Sequence, residues 1–275
     1  MNRKIDRIFT LYLPLLLVMA FILFPFYWTL NTAFKPEGDI VQTPMAYFPQ
    51  HFTFDNFSNA WNNVGFSKFF KNSLFLGFCT VISVVFFATL VGYALSRYRF
   101  KGKKAFLLML LCTQFVPGAL LIIPLFIIFK NLGLISNPLS LILAYTTFQL
   151  PFNSILMNGF ISNVPKQLEE AAMVDGCNRL QAIYYVILPL LLPGIVATGV
   201  FTFIYAWNEF LFAFMFTNKA ANFTLSVGLS YMMGEFNINY GALAAGSIIA
   251  VLPAIALFGY VQKYLVNGLG GAVKG

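Results

Sequence analysis

Apolar residues in this chain occur in long, nearly unbroken runs. They show neither the strict alternation of a half-buried strand nor the one-sided stripe of a soluble helix. A helix crossing ~30 Å of hydrocarbon needs about 20 such residues. Six stretches qualify, at about 8–31, 72–95, 105–129, 139–160, 183–216 and 242–264. The pattern predicts an all-α polytopic membrane protein with six transmembrane helices in a single domain over 1–275. The fourth stretch is the least regular, because Gln149, Pro151 and Asn153 interrupt it. Arg3, Lys4 and Arg7 precede the first. That run is too long for the core of a signal peptide and no small-x-small cleavage site follows, so it is expected to remain as a helix.

Composition narrows the class. Of 275 residues, 59% are hydrophobic and 9% charged, where a soluble domain carries about 25% charged residues. Too few charges exist to cover a water-facing surface, which excludes a cytosolic enzyme, a secreted disulfide scaffold and a disordered chain. The 33 phenylalanines suit lipid-facing helices. Cys79 and Cys112 lie in apolar runs and Cys177 in a polar loop, a spacing that fits neither a metal site nor a disulfide framework. With His51 as the one histidine, no paired-imidazole site can form.

Charge sets the expected orientation. Lys and Arg collect on the cytoplasmic side of short loops. With the N-terminus inside, the inner segments hold Arg3, Lys4, Arg7, Arg97, Arg99, Lys101, Lys103, Lys104, Lys166, Arg179, Lys263 and Lys274. The outer segments hold Lys35, Lys68, Lys71, Lys130 and Lys219. Twelve against five places both termini in the cytoplasm. Topology accounts for the Arg97–Lys104 cluster, so no nucleic-acid partner is expected.

The inner loop at about 161–182 is the most informative segment. It reads Val164-Pro165-Lys166-Gln167-Leu168-Glu169-Glu170-Ala171-Ala172-Met173-Val174-Asp175-Gly176. Proline is at home in the first turn of a helix, where its missing N–H costs nothing. Gly176 stands where a left-handed residue would end that helix. A second helical segment is expected from about Asn178 into the fifth span. A short amphipathic helix should therefore lie at the cytoplasmic membrane face. Leu168, Ala172 and Val174 would offer an apolar patch there, which suggests a docking partner.

These residues also resemble a known family. Permeases of binding-protein-dependent ABC importers carry Glu-Ala-Ala, three residues, Gly, nine residues, then Ile-x-Leu-Pro. This chain has Glu170-Ala171-Ala172, Gly176 and Val186-Ile187-Leu188-Pro189 at the same spacing, with Val186 as the one departure. Phe34-Lys35-Pro36, Trp207-Asn208-Glu209-Phe210 and the closing Gly270-Gly271-Ala272-Val273-Lys274-Gly275 resemble the carbohydrate branch, in particular the smaller maltose-transporter-type membrane subunit. The resemblance covers essentially the whole chain.

What the resemblance implies is a type I ABC importer permease fold in a bacterial cytoplasmic (inner) membrane. It implies a second, different permease subunit, two ATPase subunits carrying ATP and Mg, and an extracytoplasmic solute-binding protein. The Glu-Ala-Ala loop would be the coupling helix that enters a cleft of the ATPase, through Glu170, Ala171, Ala172 and Gly176 with Asp175 as neighbour. Small alanines would allow close approach, and Glu170 would pair with a basic group.

The chain itself shows no ATP site. Gly102-Lys103 is followed by Lys104 and has no glycine five positions earlier, so it is not a phosphate-binding loop. No nucleophile, base and orienting group stand out either, and no cofactor is expected on this chain. Glu209 is the one acidic residue inside an expected span. Such a carboxylate faces protein or water, either as a path or gate group or as an anchor bonded to Asn208 or to the partner permease. Asn153, Asn158 and Gln149, with Gln114, could line a solute path, and helix–helix hydrogen bonds account for them equally well. The last outer loop, with Tyr231, Met232, Met233, Gly234 and Glu235, resembles the family segment that reaches into the binding protein. Import of a sugar or oligosaccharide is the reading; a polyol, amino-sugar or glycerol-phosphate stays open. A secondary transporter would need inverted repeats and coupling-ion ligands, and neither is visible.

Overall fold

The computed structural model describes residues 7–234 and 238–270. Every regular element among them is a helix. Four helices are long and apolar enough to cross a membrane, and two bent pairs bring the number to six if each pair counts as one span. The principal helices are α1 (Leu13–Ala33), α2 (Phe66–Arg97), α3 (Lys103–Thr113), α4 (Gly118–Asn131), α5 (Pro138–Ser162) and α6 (Lys166–Val174). They continue with α7 (Arg179–Leu190), α8 (Leu192–Asn208), α9 (Leu211–Phe216), α10 (Leu225–Met232) and α11 (Tyr240–Gly270).

Two of the expected spans are not straight. The stretch expected as a third span is α3 and α4, bent by 94°. Pro117 stands at the N-cap of α4; a proline pushes the residue before it out of the helical region and supplies no N–H to the preceding turn. The stretch expected as a fifth span is α7 and α8, bent by 74°, and the chain breaks again at Glu209, which is extended. Pro189 and Pro193 flank the first of these breaks. By contrast the fourth stretch, interrupted in sequence, is one 25-residue helix that carries Pro151 inside it. Its start is fixed by Asn137, whose side chain accepts from the Leu139 N–H at 2.9 Å, with Pro138 at the first position.

The chain forms two compact units, Met1–Ser67 with Gly228–Pro253, and Lys68–Val227 with Ala254–Gly275. In the first, Ala33, Ala60, Ala242, Ala244 and Ala245 make a core of small side chains. Small residues let helices approach closely where lipid removes the hydrophobic drive. Polar groups tie the ends together. Asn56 Nδ2 donates to the carbonyls of Ala33 and Lys35 at 2.9 and 2.7 Å. The Glu37 carboxylate accepts from Tyr240 and Gly241 N–H, both at 3.1 Å, at the positive end of α11. Lys35, counted above among the outer cations, is buried with Nζ on the Ala46 carbonyl. The most apolar window of α1 buries none of its residues.

In the second unit Val84, Ala88 and Tyr93 of α2 pack on Met157 and Ile161 of α5 and on Ile187 and Leu191 at the α7–α8 bend. Gly92 permits this contact: a Cβ there would lie 2.8 Å from the Asn158 backbone nitrogen. Val164 and Ile183, near the two ends of the loop singled out by sequence, pack against this core.

Candidate functional site

The loop is a helix held from one side. Pro165 is the N-cap of α6. At its other end the Cys177 N–H donates to the Ala172 carbonyl at 3.0 Å and the Gly176 N–H to the Met173 carbonyl at 3.2 Å, the paired bonds of a Schellman cap. Gly176 has φ +93°, the left-handed turn expected of it, and a Cβ there would meet nothing within 4 Å. Two residues later Asn178 and Gln181 form a reciprocal capping box that starts α7. The hairpin between α6 and α7 is thus specified residue by residue.

Residues three apart on a helix share a face. In α6, Glu169 and Ala172 share the buried face. Glu169 accepts from the Tyr93 hydroxyl at 3.0 Å and from Arg97 Nε at 2.5 Å, in an ion pair whose side chains are 11% and 7% exposed. A second nitrogen of Arg97 donates to the Val164 carbonyl at 3.0 Å, just before α6. The hydroxyls of Ser96 and Ser162 meet at 3.1 Å alongside. One arginine at the last turn of α2 therefore holds both the entry to α6 and its buried face. Arg179 donates to the Tyr98 hydroxyl and lies over that ring at 5.3 Å, which holds the start of α7 to the same end of α2.

The opposite face of α6 is open. Glu170, Ala171, Asp175 and Gly176 are exposed. Val174 is 87% exposed and Leu180 77%. The apolar patch differs from the expectation in one member: Leu168 and Val174 are exposed, but Ala172 faces inward. Sequence reasoning passed over Glu169, Arg97 and Tyr93. The available signal was weak: Glu169 and Ala172 at helical spacing, and an arginine closing α2 within a cluster that topology already explained.

The other predicted residues are scattered. Glu209 is a capping group. Its carboxylate accepts from the N–H groups of Phe212 and Ala213 at 2.9 and 3.1 Å, in the first turn of α9, and from the Tyr145 hydroxyl at 2.7 Å. It satisfies donors that the break after α8 would leave orphaned, and a negative charge is favoured at that helix end. Asn208, weighed as its partner, donates instead to the Ile204 carbonyl at 2.9 Å. Asn153 is fully buried and donates to the Gln149 carbonyl at 2.8 Å, while its Oδ1 has no partner among the described residues. Gln114 is exposed at the α3–α4 break and lines a largely apolar cavity of about 450 Å³ with Thr113, Thr147 and Phe148. Asn153 does not line that cavity. In the loop before α11 Tyr231, Met233 and Gly234 are exposed, Met232 packs against the alanine core, and Glu235 lies outside the described residues.

Residues 85–270 match the family described as binding-protein-dependent transport system inner membrane component. Among curated relatives, the diacetylchitobiose uptake system permease protein DasC of Streptomyces coelicolor is 39% identical, over 92% of this chain and 92% of the relative. The trehalose transport system permease protein SugB of Mycobacterium tuberculosis is 34% identical, over 94% of this chain and 95% of the relative. Among solved structures, a chain of a bacterial ABC transporter involved in the import of the acidic polysaccharide alginate superposes with a TM-score of 0.83 at 23% identity, covering 96% of this chain and 98% of that one. At that identity the likeness concerns the fold.

Proposed function

This chain belongs to the family of binding-protein-dependent transport system inner membrane components, and on that premise we propose that it is the smaller permease subunit of an ATP-driven importer of a disaccharide or short oligosaccharide. One observation carries the coupling part of this reading. The α6 helix is bonded on one face to the end of α2 through Glu169 and Arg97, while Glu170, Ala171 and the turn at Asp175-Gly176 stand open on the other. A helix so placed passes a push from an attached subunit into α2 without folding away from it. The sugar class rests on relatives whose names concern diacetylchitobiose and trehalose; the first makes an amino-sugar disaccharide a natural candidate.

In this proposal two ATPase subunits, carrying ATP and Mg, close on each other and displace α6. The α2–α5–α7 core follows, and the cavity shared with a second, different permease opens to the other side. An extracytoplasmic solute-binding protein supplies the sugar. Both termini, the α2–α3 turn and α6 face the cytoplasm, as the charge asymmetry requires. The chain performs no chemistry of its own.

The test is reconstitution of the complex in vesicles with the solute-binding protein outside and ATP inside. Accumulation of labelled diacetylchitobiose or trehalose, dependent on ATP and on the binding protein, is the expected outcome. Uptake that persists without ATPase subunits and follows an ion gradient would sink the reading.

A further inference from the structure

The unit formed by Met1–Ser67 and Gly228–Pro253 contains an open cleft of about 560 Å³ between the segment after α1 and the approach to α11. Apart from Pro36, the residues that line it are polar or acidic, with Glu37, Asp55, Asn56, Asn59, Asn63 and Asn239 prominent among them. Two carboxylates and no lysine or arginine line it among the described residues, although the chain as a whole has a net charge of +8. The nearest cation in sequence, Lys35, is withdrawn: it is 4% exposed, with Nζ on the Ala46 carbonyl and over the Trp28 ring.

Existing hydrogen bonds leave this cleft rich in acceptors. Asn56 is 6% exposed, and its Nδ2 is committed to two carbonyls. Its Oδ1 accepts nothing among the described residues. Asn63 spends its Nδ2 on Asn59, and its own carbonyl oxygen accepts nothing among the described residues. The Asp55 carboxylate has neither a hydrogen bond nor an ion pair among the described residues. Glu37 uses one lone pair of each oxygen on α11 and keeps the rest. An ionised carboxylate only accepts, and an ammonium or guanidinium only donates. Such a cleft fits a cationic side chain, through charge-assisted bonds stronger than neutral ones.

We infer that this cleft seats a lysine or arginine side chain of the extracytoplasmic solute-binding protein. The inference rests on the binding-protein-dependent reading and on the orientation given above, which puts the cleft on the outer face. Complementary charge of this kind speeds the encounter and fixes the register of docking, so the cleft would orient the binding protein over the path before solute is released.

The experiment uses the whole complex in lipid nanodiscs and fluorescently labelled solute-binding protein saturated with its sugar. Asp55 is the residue to change, because its side chain makes no hydrogen bond or ion pair among the described residues; Glu37 is left alone because it caps α11. Asp55→Asn should weaken docking about tenfold and Asp55→Lys about a hundredfold, with added salt weakening the wild type more than Asp55→Asn. Co-purification of the other permease and the ATPase should be unchanged in both. Wild-type docking by Asp55→Lys overturns this inference and leaves the permease reading intact. Loss of the second permease from Asp55→Lys also overturns it, because the cleft then belongs to the contact between permeases. Failure of the wild-type complex to bind any solute-binding protein sinks both readings together.

Discussion

Arg97 Nε lies 2.5 Å from Glu169 Oε1, across 72 residues of sequence, and this bond joins the end of one membrane helix to the short helix beside it. Both side chains are largely buried. Removing one partner of such a pair leaves an uncompensated charge and costs about 3–5 kcal/mol, whereas replacing both with apolar groups is often close to neutral. Glu169→Leu should therefore lower the melting temperature of the complex and abolish uptake. The double variant Arg97→Met with Glu169→Leu should recover most of the stability but not the uptake. Full uptake by Glu169→Leu would show that the pair is structural decoration.

Gly176→Asp separates backbone from contact. No atom waits to clash with a new Cβ, so the folded chain bears only the strain of φ +93°, roughly 1–2 kcal/mol. The variant should insert at normal levels, lose co-purifying ATPase and import nothing. Gly176→Asn, which places at the helix end the residue that most often replaces glycine there, should fall between it and the wild type. Normal uptake by Gly176→Asp would reduce this loop to a connector.

Glu170→Ala should behave differently from any change at Glu169. Glu170 is exposed and bonded to nothing else among the described residues, so stability should stay within about 0.5 kcal/mol. The loss should be seen only in ATPase attachment, measured by co-purification at rising salt. A stability loss as large as that of Glu169→Leu would show that the two glutamates share one role.

Glu209→Ala removes the group that holds the first turn of α9. Loss of a cap costs about 0.5–2 kcal/mol, and uptake and melting temperature should fall together. Glu209→Gln keeps a carbonyl acceptor and should retain more of both. Uptake abolished at an unchanged melting temperature would make Glu209 a gate residue after all.

Single cysteines in a background lacking Cys79, Cys112 and Cys177 test the orientation. An impermeant maleimide added to intact cells should label Ala221→Cys and spare Asp175→Cys. The reverse pattern would invert the membrane topology and remove the basis for the outer cleft.

The sequence by itself determined the class of molecule, the number of apolar stretches and the α6–α7 hairpin. Each rests on local physics. A run of about 20 apolar residues is helical in lipid because its backbone groups have no other partner, and Pro165, Gly176 and the Asn178–Gln181 box act within a few residues of themselves. Only the tertiary structure decided which glutamate anchors and which is displayed. Glu169 and Glu170 are neighbours with the same chemistry; a helix turns successive side chains by about 100°, and what waits on each side comes from Tyr93 and Arg97, more than seventy residues away. The same holds for Glu209, which reads in sequence as a lone charge in an apolar run. It is a cap because the helix breaks there and Tyr145 of another helix completes its shell. The breaks themselves were half visible. Pro117, Pro151 and Pro189 are alike as residues, yet the chain breaks beside the first and third and continues as one helix through the second, because neighbouring helices decide whether the bonds a proline removes are replaced.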